Sequence, residues 1–116
     1  MRHFEQSTLM TEQQTCAEQL ARFFPGVSSL RIPVQVTALR GGNVRLREST
    51  MVEFVGLEHV IFISSLPLEF DDNVRLEGNR KSFSSDATVV AVQYHDGRKA
   101  VAVKFLRGPC HWIMPL

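Results

Sequence analysis

A chain of 116 residues, 44% hydrophobic and 22% charged, has the size and balance of one globular domain, not of a disordered or repeat-built protein. That length suffices for one modest core without metal or disulfide support. A formal net charge of +1 excludes a bulk electrostatic pull toward nucleic acid or anionic membrane, and the longest apolar run, around Val60 to Ile63, is strand-sized and far short of a membrane span.

The chain opens on a helical pattern. Thr11-Glu12-Gln13-Gln14 has the form of a capping box, with Thr11 as N-cap and Gln14 reaching back. Cys16, Leu20, Phe23 and Phe24 then recur at helical spacing as one apolar stripe, and Pro25-Gly26 is expected to stop the helix. From Arg31 the period changes to two. Ile32, Val34, Val36 and Ala38 fall on one face of a strand ending at Leu39, with Pro33 suited to a sheet edge. Gly41-Gly42-Asn43 is a turn. Val44 to Val55 reads as a long strand interrupted near Ser49-Thr50, and Gly56 marks a bend.

His59 to Ser64 is a third strand. Leu66 to Asn73 is a loop, Val74 to Glu77 a short strand, and Ser82 to Tyr94 a long one rich in β-branched residues. His95-Asp96-Gly97-Arg98 predicts a hairpin, because Asp-Gly supplies the positive φ of a type I′ turn. Lys99 to Phe105 returns, with Val101, Val103 and Phe105 alternating against Ala100, Ala102 and Lys104. About six short-spaced strands with no helix between them predict a mainly β, antiparallel barrel or sandwich. Residues 1–30 are then an N-terminal helical extension, 31–108 the barrel, and 109–116 a tail forming a short turn or helix.

No catalytic constellation is present in this pattern. His3, His59, His95 and His111 are isolated from the cysteines and from paired carboxylates. Gly41-Gly42 is a turn, not a phosphate-cradling loop, and no spacing matches a zinc site. No enzyme, metal or cofactor is expected. Cys16 and Cys110 read as reduced thiols, with a disulfide tying the two tails as the alternative. The N-terminus lacks the apolar core and cleavage site of a secretory signal, so a cytoplasmic location is expected.

Charge is segregated along the chain. Arg31, Arg40, Arg45 and Arg47 occur with no intervening acid, Glu48 to Asp72 holds six acids with no base, and Arg75, Arg80 and Lys81 restore positive charge. Two readings are open: a basic patch for phosphates, or solvated strand edges that prevent aggregation.

The order of segments resembles the PilZ family from Arg31 to about Phe105. The resemblance is carried by Arg31-Ile32-Pro33-Val34-Gln35-Val36, by Val52-Glu53-Phe54 through Val60-Ile61-Phe62, and by Leu66-Pro67-Leu68-Glu69-Phe70-Asp71-Asp72-Asn73-Val74-Arg75-Leu76. Ala87 to Val92, closing on Val101-Ala102-Val103-Lys104-Phe105, completes it. The tail Pro109 to Pro115, with Trp112, resembles the post-barrel segment of some bacterial members.

The resemblance implies a six-stranded antiparallel barrel that binds cyclic diguanylate and relays its level to a partner. The family grips that nucleotide with an RxxxR motif ahead of the first strand and a (D/N)xSxxG motif in the next strand pair. Paired guanidiniums fork onto guanine edges and phosphates, and a glycine lets backbone approach. Here Arg31 falls on the second arginine, but Val27 stands at the first. The second motif, begun at Glu53, puts Val55 at the serine and Glu58 at the glycine. Loss of several charge-assisted contacts of about 1.5–3 kcal/mol each removes most of a micromolar affinity of about 8 kcal/mol.

The expectation is therefore a PilZ-like adaptor that does not bind the nucleotide in the usual way and works through another protein or self-association. Its contact candidates are Leu20, Phe23, Phe24 and Trp112, unless both tails merely plug the barrel ends. The alternative is a nucleotide or nucleic-acid binder whose arginines, Arg31, Arg40, Arg45, Arg47, Arg75 and Arg80, grip in a non-standard set, most of them converging on one mouth of the barrel.

Overall fold

The computed structural model describes residues 15–39, 45–78 and 84–108. The period-two patterning becomes six strands: β1 (Ser28–Leu39), β2 (Arg45–Val55), β3 (His59–Ile63), β4 (Asn73–Gly78), β5 (Ser84–His95) and β6 (Arg98–Phe105). Each pairs antiparallel with its neighbours, and the order β1-β2-β3-β6-β5-β4 closes on itself as a barrel. Val34, Val36, Ala38, Val52, Phe62, Val74, Leu76, Val89, Val101 and Val103 fill its interior, and Leu66 and Leu68 of the loop after β3 are buried with them.

Two local expectations are corrected. β2 runs unbroken through Ser49 and Thr50, which pair with Gln35 and Val34 of β1. Thr50 Oγ1 also donates to the Ile63 carbonyl at 2.6 Å, so the polar pair is used by the wall instead of breaking it. β1 begins at Ser28, earlier than its alternation reveals, because an irregularity between Ser29 and Ile32 resets the pleat. The Asp-Gly hairpin forms as expected, with Asp96 at φ 54° and Gly97 at φ 74°. Pro33 lies just outside the Val34–Ala38 span that pairs with β4, where a missing N–H costs the ladder least.

The helix, α1 (Cys16–Ala21), is shorter than its stripe. Thr15 caps it: its hydroxyl accepts from the Glu18 N–H at 3.0 Å, and the Glu18 carboxylate accepts from the Thr15 N–H at 2.7 Å. The Thr11–Gln14 box lies outside the described residues. Pro25 disfavours helical backbone at Phe24, and the Phe23 and Phe24 N–H groups bond back to the Leu20 and Ala21 carbonyls in a tightened last turn. Phe23 consequently points to solvent while Phe24 turns back toward the barrel.

The helix packs on its own barrel. Cys16, Ala17 and Leu20 are buried against Ile61 of β3 and Ala100 and Ala102 of β6. The alanines on that outer face of β6 leave room for a helix, which is why both faces of the strand are buried. Leu20 is therefore consumed within the chain and is withdrawn as a contact candidate. Cys16 is a free thiol donating to the Gln93 carbonyl at 2.8 Å, and burial pushes its pKa up. Cys110, Trp112 and the expected C-terminal turn lie outside the described residues. Among the described residues, no helix is long and apolar enough to cross a membrane.

Candidate functional site

An apolar recess lies where the chain leaves α1 and enters β1. Phe23 to Val27 on one side and Gly56 to His59 on the other enclose a groove of about 550 Å³. Gly56 makes this approach feasible: a Cβ there would lie 2.9 Å from the Gly26 carbonyl oxygen and 3.2 Å from Val27 Cγ1. Gly56 also donates its N–H to the His59 carbonyl at 2.8 Å, which sets the β2–β3 turn. Gly56→Ala is expected to destabilise the fold by about 1–3 kcal/mol through this overpacking, read as a lower urea midpoint with unchanged slope.

His59 forms one wall of the groove, its ring 5.0 Å from the Phe24 ring and tilted to it. Burial pushes its pKa below the ordinary 6.5, with Lys104 adding to the depression and Glu58 opposing it. The folded state thus favours neutral imidazole, and the unfolded chain takes up the proton more readily. The corresponding stability is complete above pH 6.5 and is lost as pH falls through the folded-state value. Urea midpoints measured from about pH 7 to pH 5 should fall for the wild type and fall less for His59→Gln.

The positions matched to the nucleotide-gripping motifs do not assemble into a grip. Val27 and Glu58 both line the groove, one apolar and one acidic. Arg31 lies in the irregular stretch between Ser29 and Ile32. Val55 is a buried core residue, so its side chain is turned away from any surface ligand.

The described arginines of the set lie on β1, β2 and β4. Thr37 of β1 pairs with both Arg47 of β2 and Arg75 of β4, which places those two guanidinium-bearing residues on either side of it. Among the described residues, the Thr37 hydroxyl is buried without a hydrogen-bond partner. Arg75 continues the row by donating Nε to Asp86 of β5 at 2.9 Å. That hydrogen bond holds the Asp86 carboxyl below its ordinary pKa, against the opposing effect of burial. Arg45 pairs with Leu39, on the same side of β2 as Arg47. Arg31 lies toward the opposite end of β1, so it does not join the row. Arg40, Arg80 and Lys81 lie outside the described residues. Among the described residues, register sets Arg45 and Arg47 of β2 and Arg75 of β4 in a row beside the last residues of β1.

One polar network was not anticipated. Glu48 shares a face of β2 with Leu46 and Val52, yet its carboxylate accepts from Ser64 Oγ and the Ser65 N–H, each at 2.8 Å, and from Ser65 Oγ at 2.5 Å. Ser64 Oγ in turn accepts from the Leu66 N–H at 3.0 Å. Lys99 donates Nζ to the Leu66 carbonyl. Burial pushes the Lys99 pKa down, while Glu48, Glu69 and Asp72 pull it back up. The arrangement closes one end of the barrel over Leu66 and Leu68. Its sequence signal was the serine pair directly after a strand, opposite a carboxylate of inward parity. Among the described residues, no three metal-ligating side chains converge.

Compared with known proteins, the chain matches no family model and no curated protein.

Proposed function

We propose that this chain is a non-catalytic regulatory barrel related to the PilZ domains, which works through protein contact and does not hold cyclic diguanylate in the usual way. A bacterial, cytoplasmic signalling role goes with that reading. The observation that carries it is the lining of the groove between the β1 entry and the β2–β3 turn. Val27, Leu57 and Phe24 make it apolar, and Glu58 puts a negative charge where phosphates would come close. Phe23 on its rim is 73% exposed and Leu57 45% exposed, a composition suited to contact with another apolar surface. Arg31 supplies one guanidinium where a forked grip needs two.

Calorimetric titration is the direct test. Cyclic diguanylate at concentrations on the order of 100 µM should give no saturable heat, because the remaining contacts fall short of the roughly 5–6 kcal/mol that such a dissociation constant needs. Low-micromolar binding would overturn the reading. A protein that copurifies with the wild type should be lost with Phe23→Asp and kept with Tyr94→Ser, which changes an exposed aromatic at the hairpin end of β5.

The Arg47–Thr37–Arg75 row favours a second reading, as a nucleotide or nucleic-acid contact. Its near-neutral chain charge and the pairing of Arg75 with Asp86 weigh against it. A salt-dependent gel shift lost in Arg47→Ala would support it.

A further inference from the structure

Thr37 has the outward parity of β1, opposite to the inward Val36 and Ala38, yet it is only 5% exposed. Register explains the cover. Arg47 and Arg75 stand directly on either side of it, each with its Cβ about 4.5–5.5 Å from that of Thr37. Gln35 and Leu39 flank it along its own strand. The hydroxyl is thus shut in among side chains of the outer wall, and among the described residues it has no hydrogen-bond partner. Valine has nearly the same shape and would fill the position without leaving a polar atom unmet. A buried hydroxyl that the chain itself does not satisfy points to an acceptor from outside.

The charges around Thr37 define that acceptor as an anion. Arg45 shares the outer face of β2 with Arg47 and lies diagonally about 7–8 Å from Thr37. Among the described residues, Arg45 and Arg47 have no ion-pair partner. Asp86 accepts from Arg75 Nε at 2.9 Å, which fixes the plane of that guanidinium and leaves its two amino groups for a ligand. Glu77 offsets part of the positive charge, while Arg107 helps keep the Asp86 carboxyl ionised. Arg47 and Arg75 are exposed, so their guanidiniums can part without backbone movement and open the hydroxyl.

We infer that the Arg47–Thr37–Arg75 row is a site for one terminal phosphate group, carried by a phosphomonoester or a diphosphate. The two guanidiniums grip two of its oxygens, and Thr37 Oγ1 donates to the third. A terminal phosphate offers three acceptor oxygens and a charge of about −1.5 to −2 at neutral pH. A phosphodiester lacks the third oxygen and the second charge, so cyclic diguanylate is a poor fit here too. This assignment rests on the second reading above, that the row meets phosphate, and narrows its ligand.

The test is calorimetric titration of the full chain at low salt with inorganic pyrophosphate, adenosine monophosphate and cyclic adenosine monophosphate. The first two should bind saturably, and the cyclic diester at least about tenfold more weakly. Thr37→Val should weaken pyrophosphate binding at least about tenfold, the loss of one hydrogen bond to a charged group. Its urea midpoint should stay level or rise, because the hydroxyl has no partner among the described residues. Thr37→Ser keeps the donor and should hold the affinity within about threefold of wild type. Arg47→Ala should weaken binding as Thr37→Val does. Arg31→Ala removes the same charge outside the row and should leave binding unchanged. The inference is overturned if pyrophosphate does not bind, if the cyclic diester binds equally well, if Thr37→Val binds like the wild type, or if Arg31→Ala weakens binding as much as Arg47→Ala. A nucleic-acid gel shift lost in Arg47→Ala, with no binding of pyrophosphate, keeps the second reading and overturns this one. Pyrophosphate binding without a gel shift supports the terminal-phosphate site and removes nucleic acid as its ligand.

Discussion

Phe62→Ala should destabilise the barrel by about 3–5 kcal/mol, the loss typical of a fully buried phenylalanine. Phe62 is 0% exposed and is the largest of the fully buried side chains in the described residues. It sits on β3 between Val52 of β2 and Val101 of β6, so its ring packs where three strands meet. Each of those neighbours is held by its own ladder bonds, which limits collapse into the cavity. A domain of this size has about 5–15 kcal/mol of stability in total, so the melting temperature should fall by an amount on the order of 10–20 °C. Calorimetry would show it. Phe70→Ala is the matched control: that ring is exposed, and its loss should stay within about 0.5 kcal/mol. A similar cost at both positions would contradict the placement of the core.

Glu48→Ala should cost about 2–4 kcal/mol, unusual for a charged residue on a small barrel. The carboxylate receives three hydrogen bonds, from two serine hydroxyls and one backbone N–H. Bonds to a charged group contribute about 1.5–3 kcal/mol each when not replaced by water. Water can replace those from exposed Ser65, but Ser64 is buried, so its hydroxyl proton would be left without an acceptor. Lys99 would also lose one of the negative charges that counter its burial, and its pKa should fall further. Glu48→Gln keeps an acceptor oxygen and should recover about half of the loss. Chemical denaturation gives the free energies. Hydrogen exchange locates them: the Ser65, Leu66 and Leu68 amides should exchange faster in Glu48→Ala before the strands do. Uniform acceleration throughout the barrel would argue against a local network.

The wall of this fold is legible in the sequence for a simple reason. A closed sheet with one inner face enforces alternation, and Val34, Val36 and Ala38, or Val101, Val103 and Phe105, can be read as inner-facing before any coordinate is known. The Asp96-Gly97 turn is equally plain because few residues tolerate two successive positive φ values. The helix end was not legible, since Phe23 and Phe24 fit a helical period but the restraint from Pro25 acts on the residue before it. The alanines of β6 carried the information that Leu20 is buried within the chain, yet a small residue on an outer face gains meaning only once its neighbour across β3 is known. The candidate site was partly legible. Val27 and Glu58 stood out as unsuited to phosphate, and the structure brings both to one groove. Register, which sequence does not reveal, brings Arg47 and Arg75 to either side of Thr37 and leaves Arg31 toward the other end of β1.

The seam between β3 and β6 has a kinetic consequence. It joins His59–Ile63 to Ala100–Lys104 across most of the second half of the chain, a long loop whose closure entropy must be met before its contacts help. The platform for α1 is built from Ile61 on one side of that seam and Ala100 and Ala102 on the other. An isolated helix of six residues does not persist in water. The helix therefore docks only after the seam has closed, and in native-state exchange it should open first, with the barrel still shut behind it.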